Sequence, residues 1–386
     1  MYQRLIKPSE TNSYFIFGAR GSGKTTWLKE HFKKIPHFWI DLLNPEEEER
    51  FLLRPNELSD IVNNLPKNTK WIIIDEIQKA PKLLDLVHLH IEKNKVLFAL
   101  TGSSARKLKR GAANLLAGRA FVYHMHPLTH REWGEGQDLS QILRWGSLPS
   151  IFSCQNDSAK MDYLRSYAQT YLAQEIIAEQ VVRKLVPFRR FLQVAAQSNA
   201  KIINYSNIAR DVGTDYKNIE TYFEILEETH VGFRLYPFQS SFRKRLSQKP
   251  KFYFFDLGVT RALAKSLEIP IQSGTSAYGD VFEQMVILEF YRLCSYLSPD
   301  TQLSYIQTKD GAEVDLVLEI PGRPLCLVEI KSTDFIKEHH VAKLQRIGKD
   351  MPQAQTYCLS QDPQKKNMQG TLCLPWQAGI LEILKK

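Results

Sequence analysis

The stretch Gly18-Ala-Arg-Gly-Ser-Gly-Lys-Thr25 constrains this chain more than any other. It fits G-x-x-x-x-G-K-[ST]. Ser13-Tyr-Phe-Ile-Phe17 just before it reads as a buried strand, and Thr26-Trp-Leu-Lys-Glu-His-Phe just after it as the first turns of a helix. A strand, a glycine-rich turn and a helix N-terminus aim backbone N–H groups and the positive end of a helix dipole at one anion. Gly18, Gly21 and Gly23 let the backbone approach phosphates. Lys24 would reach the β- and γ-phosphates, and the Thr25 hydroxyl would take Mg²⁺. Ser22 and Thr26 complete the loop. The pattern implies a nucleoside-triphosphate site.

A chain of 386 residues has room for two or three domains, each with its own core. With 43% hydrophobic and 24% charged residues it has the composition of an ordinary globular protein. The opening Met1-Tyr-Gln-Arg-Leu-Ile-Lys-Pro8 has no apolar run resembling a signal peptide, and no stretch approaches the roughly 20 apolar residues needed to cross a bilayer. Cys154, Cys294, Cys326, Cys358 and Cys373 are far apart in sequence and odd in number, without zinc spacing. A cytoplasmic location with reduced thiols and no membrane partner is expected. The net charge of +9 favours a polyanionic partner but carries little weight alone.

Strand and helix signals alternate through the first third, as in a parallel sheet with crossover helices. His37-Phe-Trp-Ile-Asp-Leu42 is an expected strand. Lys70-Trp-Ile-Ile-Ile-Asp-Glu76 is an expected central strand whose end carries two carboxylates. This matches the Walker B pattern: Asp75 would hold Mg²⁺ through water and Glu76 would orient the attacking water. Pro81 onward has helical spacing and leads to a strand over Lys95–Ser104. Ala120-Phe-Val-Tyr-His-Met-His-Pro127 reads as the fifth strand. His124 and His126 would share a face of it, which invites a metal reading, but strand polarity at a domain edge is favoured because no third ligand is near in sequence. The GTPase base-reading N-K-x-D is absent, since Asn94-Lys-Val-Leu97 lacks the Asp, and no ABC-type signature occurs. ATP is therefore the expected nucleotide.

Asp75-Glu-Ile-Gln-Lys-Ala-Pro81, Leu100-Thr-Gly-Ser-Ser104, Ala117-Gly-Arg119 and Pro127-Leu-Thr-His-Arg-Glu-Trp133 occur in that order. Together they resemble a family of archaeal and bacterial AAA-like P-loop ATPases that carry a further C-terminal region. Trp145-Gly-Ser-Leu-Pro149 is similar to the Gly-Gly-x-Pro element of that family, with Ser147 in place of the second Gly. The resemblance implies a γ-phosphate sensor at Thr101 or Ser103. It makes Arg119 either an arginine finger acting in a neighbouring subunit of a homo-oligomer, or a structural arginine paired inside its own subunit.

In the middle of the chain, Lys160 to Glu179 and Phe188 to Gln197 have helical periodicity. Asn204 to Leu226 has the layout of a helix-turn-helix with Gly213 in the turn. Val231–Pro237 and Lys251–Asp256 would supply wing strands, and the resembled family looks to carry a winged helix here. The second helix bears Lys217 but also Glu220, Glu224, Glu227 and Glu228, which suits a lid or coupling role better than a phosphate-lined groove. Basic residues gather in Phe242–Lys251 and Arg106–Arg110, either to contact a nucleic-acid backbone or as solvated loop charge. Asp256 reads as a helix cap.

The C-terminal third contains Gly311-Ala-Glu-Val-Asp-Leu-Val-Leu-Glu-Ile-Pro-Gly-Arg-Pro-Leu-Cys-Leu-Val-Glu-Ile-Lys331. Two β-rich runs flank Pro321-Gly-Arg323, so a hairpin symmetric about Gly322 is expected. Asp315 then lies opposite Glu329 and Glu313 opposite Lys331, all four on one face. That layout resembles the PD-(D/E)xK restriction-endonuclease-like fold, with Val314 where the motif expects Pro. By resemblance Asp315 and Glu329 bind Mg²⁺, Lys331 positions the attacking water, and Glu283 is the helical glutamate preceding such cores.

The expected fold class is thus α/β: an AAA-like P-loop NTPase with a parallel sheet over residues 1–150, a helical winged-helix domain over 151–275, and a restriction-endonuclease-like α/β domain over 276–386. The expected activity is ATP hydrolysis coupled to a DNA-directed, Mg²⁺-dependent nuclease-like domain. The alternative is an ATP-dependent switch or scaffold whose nuclease-like domain only binds a partner.

Overall fold

The computed structural model describes residues 2–94, 96–104, 118–134, 137–171, 185–239, 249–308 and 311–385. The basic run Arg106–Arg110, most of Phe242–Lys251, and residues 172–179 of the helix expected from Lys160 lie outside the described residues.

The first third is built on five parallel strands, β1 (Ser13–Phe17), β2 (His37–Asp41), β3 (Trp71–Asp75), β4 (Leu97–Gly102) and β5 (Ala120–His124), in the order β2-β3-β4-β1-β5. The apolar runs are nearly unbroken because helices cover both faces, as parallel sheets require. Side-chain alternation sorts them. Phe15, Phe17, Ile72, Ile74, Phe98 and Leu100 pack with Phe51, Leu58 and Leu83 on one face. Tyr14, Ile16, Ile73 and Ala99 pack with Leu28 of the helix Lys24–His31 and with Phe32, which caps its C-terminus, on the other.

The middle region is mostly helical. The helix Asp157–Ser166 continues as a wider π-turn over Tyr167–Tyr171. Helices Tyr205–Val212 and Tyr216–Glu228 flank Gly213, and each is started by a capping side chain. Asn204 accepts from the N–H of Asn207, and Asp215 accepts from that of Asn218. Strands β6 (Gly232–Pro237) and β7 (Lys251–Phe254) follow as an antiparallel pair.

This pair does not stand apart. Through Tyr236 and Pro237, β6 runs parallel to β8 (Gln302–Gln307) and so extends the C-terminal sheet. With β9 (Glu313–Glu319), β10 (Cys326–Lys331), β11 (Gln355–Ser360), β12 (Lys366–Met368) and β13 (Thr371–Pro375) it forms eight strands, in the order β12-β13-β11-β10-β9-β8-β6-β7. The long helix Ser276–Leu297 packs on this sheet in a core that also takes Leu128, Trp133, Ile142 and Leu143 from the connection after β5.

Buried polar contacts fasten these parts. Arg292 on the long helix donates to the carbonyls of Leu128 and Phe255 and to the Ser147 hydroxyl, at 2.7–3.1 Å. Glu289, one turn earlier, accepts from both the backbone N–H and the ring of His130. Arg4 bonds Glu132 (2.9 Å) and the carbonyl of Ser22 in the glycine-rich loop (2.7 Å). A buried guanidinium draws its donors to nearby acceptors, so each arginine fixes several segments at once, although Arg292 Nε is left without a partner.

Candidate functional site: a nucleotide cleft and a carboxylate cluster

Parallel strands bring the C-terminal ends of β1, β3 and β4 to one edge of the first sheet, where a cleft of about 320 Å³ opens. It is lined by Gly21, Gly23, Lys24, Thr25 and Thr26 from the loop and by Glu76 and Ser103 from the neighbouring strand ends. Gly18 sits behind the loop, where a Cβ would come within 2.1 Å of the Met125 carbonyl oxygen, so only glycine lets β1 and the segment after β5 approach this closely. Lys24 folds back, its ammonium donating to the carbonyls of Gly18 (2.8 Å) and Ala19 (3.4 Å).

Asp75 is fully buried and accepts hydrogen bonds on both oxygens, from the Thr25 hydroxyl at 2.7 Å and from that of Thr101. Burial raises its pKa, while these two hydroxyls oppose the rise. Thr101 also accepts from the backbone N–H of Glu76 at 3.0 Å. It therefore touches the Walker B pair rather than the cleft, and of the two expected sensor residues it is Ser103 that lines the cleft. Glu76 has a left-handed backbone, φ 59° and ψ 48°, which costs a non-glycine residue on the order of 1–3 kcal/mol and is held in place by its neighbours.

Hard oxygen donors from Thr25 and Asp75 already 2.7 Å apart, beside an open cleft, fit a Mg²⁺ that keeps several of its waters. The Ser22 hydroxyl is buried in the loop without a hydrogen-bond partner, as expected of a cradle meant for an anion. The cleft also takes Leu43 and Ser150, which lie outside the motifs, and Arg20, Gln78, Lys79 and Pro149, which lie within them but carry no expected role there.

Arg119 immediately precedes β5, at the opposite edge of the sheet from the cleft, and pairs with Glu92 of its own chain. Ser13, Trp71 and Leu97, where β1, β3 and β4 begin, line a second groove together with Arg119. It cannot reach the nucleotide cleft of its own subunit.

His124 and His126 do acquire a neighbour: His230, just before β6, packs against His124 with ring centroids 5.1 Å apart. The surroundings disfavour a cation. Burial drives the pKa of His126 well down, helped by His124 and Arg292. Among the described residues no group of three or more His, Cys, Asp or Glu side chains is arranged to hold a metal.

In the C-terminal sheet, Cys326 pairs with Leu318, Leu327 with Val317 and Val328 with Leu316, a register symmetric about Gly322 as expected, although the connection runs from Ile320 to Leu325. Asp315 and Glu329 are buried, and Asp315 accepts from the N–H of Ile330 at 2.7 Å. Lys331 donates to one oxygen of Glu329 at 2.5 Å; the other oxygen is buried without a partner. Glu313 pairs with Lys251 of β7, a residue the hairpin pattern did not suggest. Burial, then the charge of Asp315, pushes Glu283 up to about 8 and Glu329 up to about 7. The cluster thus holds more carboxylate than its own lysines neutralise. Asp315 and Glu329 offer two buried carboxylates and one orphaned oxygen; among the described residues no third His, Cys, Asp or Glu joins them in a metal-holding group, so water would have to complete the shell of a divalent cation there.

Residues 10–134 match an AAA domain family. The first third of this chain is an AAA-like P-loop ATPase domain. Residues 136–269 match a family described as a domain of unknown function (DUF8612), and residues 278–378 match another so described (DUF4143). Two uncharacterized proteins, from Mycobacterium tuberculosis and Mycobacterium bovis, are each 28% identical over 325 residues, covering 82% of this chain and 70% of theirs. A Walker-type ATPase of Pyrococcus abyssi is similar with a TM-score of 0.44 and 13% identity, over 65% of this chain and 90% of that one. Among the described residues no helix is long and apolar enough to cross a membrane.

Proposed function

We propose that this chain is an ATP-hydrolysing, DNA-directed enzyme in which the ATPase domain controls a nuclease-like C-terminal domain. The observation that carries the ATPase half is the chain of contacts from Thr25 through Asp75 to Thr101, with Glu76 beside it at the edge of the cleft. Lys24 exchanges the carbonyls of Gly18 and Ala19 for the β- and γ-phosphates. The backbone N–H groups of the loop cradle the phosphates, with Ser22 and Thr26 beside them. Glu76 takes a proton from the attacking water as the water oxygen bonds the γ-phosphorus and the bond to the β–γ bridging oxygen breaks, so that ADP and phosphate leave; Ser103 contacts the γ-phosphate. Bound Mg²⁺, held by Thr25 and by Asp75 through water, supplies neutralisation of the phosphate charge.

In the nuclease-like half, Asp315 and Glu329 are the cation ligands. Lys331 offsets charge on the scissile phosphate, and Glu283 supports the cluster from the long helix. A divalent cation there supplies an activated water for phosphodiester cleavage. The net charge of +9 supports a polyanionic partner such as DNA. The acidic helix Tyr216–Glu228 favours a coupling role for the winged-helix-like middle region. On this reading the functional units are residues 1–150, 151–275 and 276–386, with β6 and β7 of the middle unit built into the sheet of the last, in a cytoplasmic protein; Arg119, paired with Glu92, either serves its own subunit or reaches a neighbouring one in a homo-oligomer.

One observation favours the second reading, an ATP-dependent switch or scaffold. Lys331 is already paired with Glu329, and Glu313 with Lys251, pairings that need no metal. The test is cleavage of linear, circular and single-stranded DNA with Mg²⁺ or Mn²⁺, with and without ATP, using Glu329→Ala and Lys331→Ala as controls. Cleavage lost in both variants supports the nuclease. Turnover of ATP without cleavage, and no heat of Mn²⁺ binding that depends on Glu329, supports the scaffold.

A further inference from the structure

The left-handed backbone at Glu76 bends the chain into the single turn Ile77–Lys79, and this folds the side chain of Gln78 back over Glu76. Gln78 is 7% exposed. Its amide nitrogen has two hydrogens, and both are engaged: one by a carboxylate oxygen of Glu76, the other by the Ser103 hydroxyl at 3.1 Å. All three residues line the nucleotide cleft. The amide oxygen is buried beside Gly102, where a Cβ would stand 2.8 Å from it, and has no hydrogen-bond partner. A buried amide in this state is retained for what its nitrogen does, since replacement by an apolar side chain would leave no oxygen to desolvate.

We propose that Gln78 is a positioning residue for ATP hydrolysis. Its amide ties the Glu76 carboxylate to Ser103, so that contact between Ser103 and the γ-phosphate turns Glu76 toward the attacking water. Two anchors act on Glu76. Thr101 fixes its backbone N–H, and Gln78 fixes its carboxylate. The first comes from β4, beside the strand that holds Asp75, and also holds Asp75 itself; the second comes from the turn that follows Asp75, so the direction of the base is set by a contact that does not touch the Mg²⁺ site. The inference rests on the ATPase reading above and adds to it the group that aims the base.

Steady-state hydrolysis and nucleotide binding on the unaltered protein and five variants test this. Gln78→Leu is expected to lower kcat about 10- to 100-fold, within the range general-base catalysis supplies, while nucleotide Kd moves less than about threefold. Gln78→Glu, nearly isosteric, keeps the fold if the leucine variant does not. It replaces the amide donor with an acceptor that cannot hold the Glu76 carboxylate, so its kcat is expected to fall as far as that of Gln78→Leu. In a Glu76→Gln background Gln78→Leu is expected to cost nothing further, because the carboxylate it aims is gone. A kcat within twofold of the unaltered protein, losses that multiply with Glu76→Gln, or equal losses in kcat and nucleotide affinity would overturn the proposal. Turnover that Lys24→Ala abolishes but Gln78 substitutions leave intact overturns this inference alone. Absence of turnover in the unaltered protein overturns both it and the ATPase reading.

Discussion

Replacing Asp256 should loosen the nucleotide cleft from a distance. Asp256 is fully buried; one of its oxygens caps the helix Leu257–Leu263 through the N–H of Val259 at 3.1 Å. The other accepts from the N–H of Ser147 at 2.7 Å. Ser147 leads within three residues to Pro149 and Ser150, which wall the cleft. Asp256→Ala removes a helix cap, worth about 1 kcal/mol, and strands a buried N–H at Ser147, worth about 1–3 kcal/mol. A loss of about 3 kcal/mol is expected. Asp256→Asn keeps one acceptor and should lose about half as much. Gly146 makes the contact testable as a pair. It has φ +75°, and a Cβ there would lie 2.1 Å from Asp256 Oδ1. Gly146→Ala alone should therefore cost several kcal/mol. In the Asp256→Ala background only the backbone strain of about 1–2 kcal/mol should remain. Urea unfolding gives the four stabilities, and a fluorescent ATP analogue reports the cleft. Additive losses, or an asparagine variant as unstable as the alanine, would refute this account of the clamp.

Other expectations follow from single contacts. Lys24→Ala should lower ATP turnover at least about 100-fold in a coupled-phosphate assay, since it removes the ammonium that follows the β- and γ-phosphates. Glu283 carries a folded-state pKa raised from 4.5 to about 8. The folded protein thus keeps a proton that the unfolded chain has lost between those values, and the group's contribution falls as pH rises through that window. At 1.36 kcal/mol per unit the ceiling is about 5 kcal/mol. Glu283→Gln should accordingly gain stability over the unaltered protein on going from pH 5 to pH 8 in metal-free buffer, measured by denaturant titration. Arg119→Ala breaks a half-exposed ion pair with Glu92 and should change stability by less than about 1 kcal/mol. If the residue also acts across subunits, turnover falls at protein concentrations where the chains associate.

Much of the architecture was legible because it rests on local rules. The strand, turn and helix around Gly18–Thr25 follow from an apolar run, glycines and a helical period. The three strands ending in Phe17, Asp75 and Gly102 follow from apolar runs bounded by polar residues. The hairpin register about Gly322 follows from a side-chain period of two, and the nucleotide-site assignment of the first third follows from motif spacing, its AAA-like character from the family that its motifs resemble. Strand order did not follow, because a parallel crossover can land on either side of its predecessor with the same local sequence. Nor did the joining of β6 to the C-terminal sheet. That pairing is set by backbone hydrogen bonds between residues almost 70 positions apart, which leave no periodic trace.

The same division runs through the sites. Sequence alone determined which residue types stand at the phosphate loop, at the end of β3 and along the hairpin, since each chemistry needs its residues at a fixed spacing on one element. Only the tertiary structure decided that Gln78 meets Ser103, that Lys251 meets Glu313, and that Pro149 and Ser150 wall the cleft. It also turned Thr101 onto Asp75, and paired Arg119 with Glu92. A side chain's partner depends on which elements the core brings together, and burial makes that choice strict. Once water is excluded, each polar group must find its hydrogen bond among whatever neighbours the fold provides.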